Sequence, residues 1–325
     1  MIEVYKCMIE FDYQLSIPPK FYATLHQNLP SILCDDKLTL KEEIGKGEFV
    51  ALQVQDGLWA QQINVNMRQN IVLHRKPIKE NLLFVIDFYL SQSNLIRTSE
   101  NQIYNLGFEN INMMLTSSTT SAQLSVPSNK DISIFNIVFT RDWLLKNVLI
   151  DHPESYNFFN TNEAIYFSEN LDYKLKELLK KINFVQDNKL TSVVYIIQII
   201  DYLFEKVKSR TLLTESNAHI HSSDLQQLIQ VREFLDEQSQ EEISLDSLSK
   251  KAGMSLSKFK RLFKQVFGTT PYQYYLANKM EKAMELLKMQ IYSVSEIGFL
   301  IGYSNLSQFS KAFKNHFGIL PSEVH

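Results

Sequence analysis

The sequence predicts a multidomain α+β protein. A β-rich N-terminal domain spans 1–155, a helical segment 156–210, a linker 211–223 and an all-α domain with two helix-turn-helix units 224–325. Three observations carry this division. Short apolar runs with turn signals fill the first 150 residues, and leucine stripes at helical spacing follow. The pattern L-S-x-F-x-x-x-F-K-x-x-F-G-x-x-P then occurs at Leu256 to Pro271 and again, fifty residues on, at Leu306 to Pro321.

In the first domain Phe49 to Gln55 leads through Asp56-Gly57 into Leu58-Trp59-Ala60, and Ile63 to Met67 alternates apolar with polar. Asp-Gly between such runs marks a hairpin. Leu82 to Leu90 and Ile132 to Phe139 are largely apolar and are expected as further buried strands. A small barrel or sandwich follows, and Arg141-Asp142-Trp143-Leu144-Leu145 begins a helical region. Trp59, Phe84, Phe88, Tyr89, Tyr104, Phe108 and Phe135 are available to line a pocket, although aromatic residues more often form plain core. Effector-binding residues are otherwise not assigned.

From Asn162 to Arg210, Leu171, Leu175, Leu178, Leu179 and Ile182 form one stripe, and Leu190, Val194 and Ile197 start another. Packing on the domain's own sheet and a homodimer interface are both open for them. Ser209 to Ser223, with Asn217 and Ser222-Ser223, has linker composition.

In each repeat the phenylalanines (259, 263 and 267; 309, 313 and 317) fall at i, i+4 and i+8 and define a core face. Ser257, Lys260, Arg261 and Lys264 lie on the other side, matched by Ser307, Ser310, Lys311 and Lys314. Ser255 and Asn305 are the expected N-caps; Gly268 and Gly318 are the stops, with Pro271 and Pro321 beyond. A shorter helix precedes each: Ser244 is expected to cap the run with Leu245, Leu248 and Ala252, and Ser293 to Glu296 is a capping box. Gly253 and Gly302 make the turns. Thr270-Pro271-Tyr272-Gln273 starts a third helix, running to about Met289. Its length of about 27 Å compares with the roughly 34 Å between successive major-groove openings on one side of B-DNA.

Residues 224–325 resemble the DNA-binding domain of the AraC/XylS family of bacterial transcription regulators. The resemblance rests on Ala252-Gly253-Met254-Ser255, Phe263-Lys264 to Pro271, Ala283 with Leu286-Leu287, and Glu296-Ile297 through Gly302-Tyr303 to Phe313-Lys314 and Gly318. It implies major-groove reading by helices at about 255–267 and 305–317. Base-facing positions then fall on Ser257, Lys260 and Arg261, and on Leu306, Ser307, Ser310 and Lys311. Lys264 and Lys314 fall where phosphate contact is expected. The Arg261 fork suits guanine O6 and N7. Two departures stand out: Tyr274-Tyr275 replaces the aromatic-Arg pair that often follows the closing proline, and Gly298 stands where alanine is usual.

The resemblance further implies a cupin-like sensor, a small-molecule effector, activation through RNA polymerase, and double-stranded DNA as partner. The approach at Gly47 to Phe49 and the exit at Phe139 to Leu149 are similar to the siderophore-responsive branch, which implies an iron-siderophore. A metal-binding cupin would want two histidines one residue apart plus a carboxylate; His74 is lone, and His219-Ile220-His221 sits in the linker, so neither metal nor cofactor is expected.

Charge agrees with site-specific binding. The chain carries −3 overall, while Lys250 to Gly318 holds eleven Lys or Arg against three Glu. An enzyme fused to a DNA-binding tail would need an activated nucleophile, and neither Cys7 nor Cys34 lies in such a motif. Two cysteines, a charged first segment and no apolar run long enough for a bilayer fit a cytoplasmic protein without a membrane partner. The remaining alternative is a DNA-tethered protein-interaction module.

Overall fold

The structure is a computed structural model. It describes residues 8–99, 102–107, 113–150, 159–169, 171–182, 184, 189–211, 222–237, 243–267 and 269–324. Cys7, Phe108, the His219-Ile220-His221 pair, Gly268 and most of the expected linker lie outside the described residues. The chain forms two compact units, Met1–Lys208 and Ser209–His325.

The first unit is built on two sheets. Its strands are β1 (Ile9–Tyr13), β2 (Ser31–Cys34), β3 (Lys37–Leu40), β4 (Gly45–Gln55), β5 (Leu58–Met67), β6 (Ile71–Arg75), β7 (Leu83–Tyr89), β8 (Leu95–Ser99), β9 (Gln102–Leu106), β10 (Met113–Ser117), β11 (Ala122–Val126), β12 (Asp131–Thr140) and β13 (Tyr166–Glu169). The smaller sheet has the order β1-β6-β11-β8-β9 and the larger β13-β10-β7-β12-β5-β4-β3-β2. The first helix, α1 (Pro18–Asn28), starts with proline in its first turn. Helices α2 (Arg141–Asn147), α3 (Tyr173–Lys180) and α4 (Lys189–Thr211) follow the sheets.

The Asp56-Gly57 hairpin joins β4 to β5, and the two expected buried strands are β7 and β12. Both are largely apolar, and Asp87 on β7 and Asn136 on β12 are polar exceptions that share one face. Phe84, Ile86 and Phe88 on β7, with Phe135, Ile137 and Phe139 on β12, share a core with Trp143, Leu175, Ile199, Leu203 and Phe204 from the helices. Val85, Asp87 and Tyr89, with Ile134, Asn136 and Val138, face a cavity on the other side. Both faces of the central strands are therefore buried.

The 156–210 stretch is not helical throughout, because β13 pairs with β10 and extends the larger sheet. Leu171, Leu175, Leu178, Leu179 and Ile182 pack into the unit's own core. Their alternative as a dimer surface is thereby closed. The second stripe is different: Leu190, Val194 and Ile197 are exposed, while Ile196, Ile199, Ile200, Leu203 and Phe204 form the buried face of α4.

The second unit is helical: α5 (Ser222–Glu237), α6 (Leu245–Lys251), α7 (Leu256–Phe267), α8 (Pro271–Met289), α9 (Val294–Leu300) and α10 (Leu306–Phe317), then a short 3-10 turn at Pro321–Glu323. Leu228, Val231, Leu248, Phe259, Phe263, Phe267, Tyr274 and Tyr275 form a core joining α5 to α8. Burying one such side chain is worth about 1.5–3 kcal/mol. Among the described residues, no helix is long and apolar enough to cross a membrane.

Candidate nucleic-acid interface

Each helix-turn-helix is set by local chemistry. Gly253 and Gly302 take positive φ, 60° and 82°, at the turns between α6 and α7 and between α9 and α10, where a side chain would cost energy. Ser255 Oγ accepts from Lys258 N at 3.3 Å, and Asn305 Oδ1 accepts from Ser307 N at 2.9 Å and Gln308 N at 3.2 Å. The Ser293–Glu296 capping box opens α9, with Ser293 N donating to Glu296 Oε2 at 2.7 Å. These bonds from Ser293 hold the Glu296 carboxyl below its ordinary value. Ser244 departs from expectation: its side chain makes no capping bond. Its carbonyl instead accepts from Ser247 Oγ at 2.7 Å, and the exposed residue leaves the first free amides of α6 to water.

The two long repeat helices bury one face and expose the other. On α7, Phe259, Leu262, Phe263 and Phe267 are buried, whereas Ser257, Lys260, Arg261 and Lys264 are exposed. On α10, Phe309 and Phe313 are buried; Ser307, Lys311 and Lys314 are exposed, and Leu306 and Ser310 are half-buried. Leu306, Ser307, Ser310, Lys311 and Lys314 line one open depression together with Leu320. Leu320 was not singled out in the sequence because it lies beyond the helix stop at Gly318, where periodicity carries no information.

Spacer helix α8 is fixed to both halves. The Thr270–Gln273 capping box opens it, and Gln290 in the left-handed region at φ 54° closes it. On the first half, Tyr274 Oη donates to Asp236 Oδ1 at 2.8 Å, and Asn278 Nδ2 donates to the same oxygen at 2.7 Å. Asp236 Oδ2 also stands 3.9 Å from Nε of buried Arg232, whose guanidinium lies 5.4 Å from the Phe267 ring centre. On the second half, Lys279 Nζ is 4.7 Å from the Tyr275 ring and 5.8 Å from that of Tyr303, and His316 Nε2 is 3.0 Å from Glu281 Oε1. Tyr274 and Tyr275, the departure after the first proline, are core residues here.

Gly298 also has a packing role. It is buried, and a Cβ there would stand 2.8 Å from Leu306 Cδ2 and 3.1 Å from Phe309 Cδ1. The missing side chain lets α9 approach α10 closely, offsetting a helix-propensity cost of about 1 kcal/mol.

A second constellation lies inside the first unit, in a cavity of about 130 Å³ between the two sheets and α1. Gln61, Asn136 and Asp87 are direct cross-strand neighbours on β5, β12 and β7. Gln61 Nε2 donates to Asn136 Oδ1 at 2.9 Å, and Asn136 Nδ2 donates to Asp87 Oδ1. Arg97 Nη1 stands 3.5 Å from Asp87 Oδ2, to which Tyr89 Oη donates at 3.4 Å. Arg75 donates to the Thr120 and Ser117 carbonyls at 3.2 and 3.3 Å. Burial pushes the Asp87 carboxyl above its ordinary value, with Arg97 and Arg75 opposing.

The expected aromatic set is mostly elsewhere. Tyr89 lines this cavity, but Phe84, Phe88 and Phe135 project from the opposite sheet face into the helical core. Trp59 packs with Val85 and Val138, and Tyr104 is buried on β9. His74 pairs with Glu10 on the neighbouring strand. Its successor Arg75 points inward, as alternation requires.

Residues 248–325 match the family model described as "Helix-turn-helix domain". The probable transcriptional regulator LumQ of Photobacterium leiognathi is 32% identical over 95 residues, 29% of this chain and 38% of that protein. The HTH-type transcriptional activator RhaS of Mannheimia succiniciproducens is 24% identical over 196 residues, 57% of this chain and 70% of that one. A solved transcriptional regulator of the AraC-type DNA-binding domain-containing proteins, from Chromobacterium violaceum, is 34% identical, with 31% of this chain and 87% of that chain covered and a TM-score of 0.28. This chain spans less than two-fifths of the length of LumQ. With paired helix-turn-helix units now matched by both geometry and family model, residues 248–325 are an AraC-type helix-turn-helix domain.

Proposed function

We propose that this chain is a sequence-specific DNA-binding transcription regulator whose N-terminal unit responds to a small molecule. The observation that carries the DNA-binding reading is the pair of exposed small-plus-basic faces on α7 and α10, with α8 packed against both halves. In this reading Ser257, Lys260 and Arg261, with Leu306, Ser307, Ser310 and Lys311, contact bases, and Lys264 and Lys314 hold phosphates. Arg261 reads a guanine. Activation through RNA polymerase rests on family habit alone.

The cavity, apolar but with a polar end that holds a buried arginine pair, supports an effector over the alternative of a protein-interaction module, because a purely protein-binding sheet needs no such pair. Its volume favours a ligand smaller than an iron-siderophore. Ligand binding would shift the population competent for the promoter. The exposed Leu190, Val194 and Ile197 ridge supports a homodimer, since a continuous apolar strip on a helix is matched by a second copy of itself.

The test is a binding comparison across duplexes that differ at single base pairs. Arg261→Ala is expected to relax preference at one base pair, at a cost of about 1–3 kcal/mol on the preferred duplex. Lys264→Ala is expected to weaken all duplexes alike and to lower the salt slope by about 1. Identical behaviour of the two variants on every duplex overturns these roles.

A further inference from the structure

The effector reading leaves the ligand's chemistry open, and the cavity wall narrows it. Its interior carries two guanidinium groups, Arg75 and Arg97, against one carboxyl, Asp87. Arg97 is 4% exposed, yet its Nε and Nη2 have no hydrogen-bond partner among the described residues, and Gln61 Oε1, on the opposite wall, also has none. Buried donors and acceptors in folded proteins are almost always satisfied, since each orphan costs free energy. Around this polar end the wall is aliphatic, with Ile63, Val85, Leu124 and Ile134.

We infer that the cavity between the two sheets binds a compact organic monoanion, a carboxylate on a small apolar body, with the carboxylate on Arg97 and the apolar body against the aliphatic wall. Three features converge on that class. The charge excess inside is positive by one, which an anion neutralises and an amine would worsen. The two unpartnered guanidinium nitrogens offer the fork geometry that a carboxylate accepts. At about 130 Å³ the cavity resembles the roughly 150 Å³ apolar cavity that takes benzene, so the body has the size of a ring or a short chain. Gln61 Oε1 remains for a donor on the ligand, such as a hydroxyl. This inference rests on the reading of the first unit as a sensor, but its binding step is measured without DNA.

The test uses the full chain, titrated by calorimetry with benzoate and hexanoate, with benzyl alcohol and hexan-1-ol as neutral matches, hexylamine as the cation, and oleate as the long-chain acid. Trp59 and Trp143, both in the first unit, report the accompanying rise in its unfolding temperature. At least one short acid is expected to bind about tenfold or more tighter than its alcohol, the difference that one charge-assisted pair supplies. Arg97→Met should remove that preference. Should Arg97→Met fail to fold, Ala122→Leu, which fills the cavity without touching its charge, should lose the acid in its place. Equal binding of acid and alcohol, preference for hexylamine, binding of oleate alone, or no binding by any short acid overturns the inference. If a short acid binds but leaves the affinity for a selected duplex unchanged, the site stands and the effector reading falls.

Discussion

Asp236, on α5, ties the spacer helix α8 to the first half of the second unit. Its carboxylate accepts from Tyr274 Oη and Asn278 Nδ2 at 2.8 and 2.7 Å, and it faces the guanidinium of Arg232, whose side chain is 2% exposed. A hydrogen bond to a charged group contributes about 1.5–3 kcal/mol. Two of them give a loss of about 3–6 kcal/mol for Asp236→Ala, and the buried Arg232 loses a carboxylate neighbour 3.9 Å away. The contributions overlap, because one carboxylate serves all three partners. We expect a net loss of about 3–5 kcal/mol. With a urea dependence near 1–3 kcal/mol per molar, the second unit's midpoint should fall by about 2 M. Far-UV circular dichroism follows its helices, while tryptophan fluorescence reports the first unit, which holds both Trp59 and Trp143. Asp224→Ala is the control. Asp224 bonds Lys258 at 2.9 Å, but Lys258 is 43% exposed, so solvent screening limits that pair to about 0–1 kcal/mol. Equal losses in the two variants would refute the reasoning.

Two further outcomes are expected. Gly298→Ala gains about 1 kcal/mol of helix propensity and loses about 1–3 kcal/mol through crowding of Leu306 and Phe309; stability should fall by about 0–2 kcal/mol while duplex affinity falls, and unchanged affinity would remove Leu306 from the interface. Asp172 caps α3 and bonds Tyr202 and Lys206; burial alone would push its carboxyl up, but Lys206, Tyr202 and the Leu175 N–H hold it below its ordinary value. A depressed acid contributes stability above its unfolded value of about 4, lost as pH falls through the folded one. The stability gap between wild type and Asp172→Asn, followed by tryptophan fluorescence, should therefore be wide at neutral pH and narrow toward about pH 3; a gap independent of pH contradicts this.

The second unit was largely legible in the sequence because its signals are local. Caps, turn glycines and the phenylalanine spacing each act within one or two turns of helix, and their repetition at Leu256 and Leu306 removes ambiguity. Ser244 shows the limit, since a residue of capping type at the right place leaves its side chain in water. The first unit's site was not legible. His74-Arg75-Lys76 has the look of an exposed charged cluster, and only the pairing of β6 with β1 and β11 turns Arg75 inward while His74 meets Glu10. Likewise, the register that aligns Gln61, Asn136 and Asp87 joins residues 49 to 75 positions apart, beyond any local pattern. β13 was missed for the same reason: four residues, recognisable only by their pairing with β10. The exposed ridge on α4 was seen as a stripe, but burial, not spacing, decides which stripe of a helix meets the core.

The most direct test of the central claim, that α7 and α10 are two DNA-reading helices on one chain, is selection of bound duplexes from a random library, by wild type and by Arg261→Ala and Lys311→Ala. Two preferred blocks about one helical turn apart, roughly 10 base pairs, are expected, with Arg261→Ala degrading one block and Lys311→Ala the other. A single block that both variants degrade alike, or no preferred sequence at all, would contradict the account.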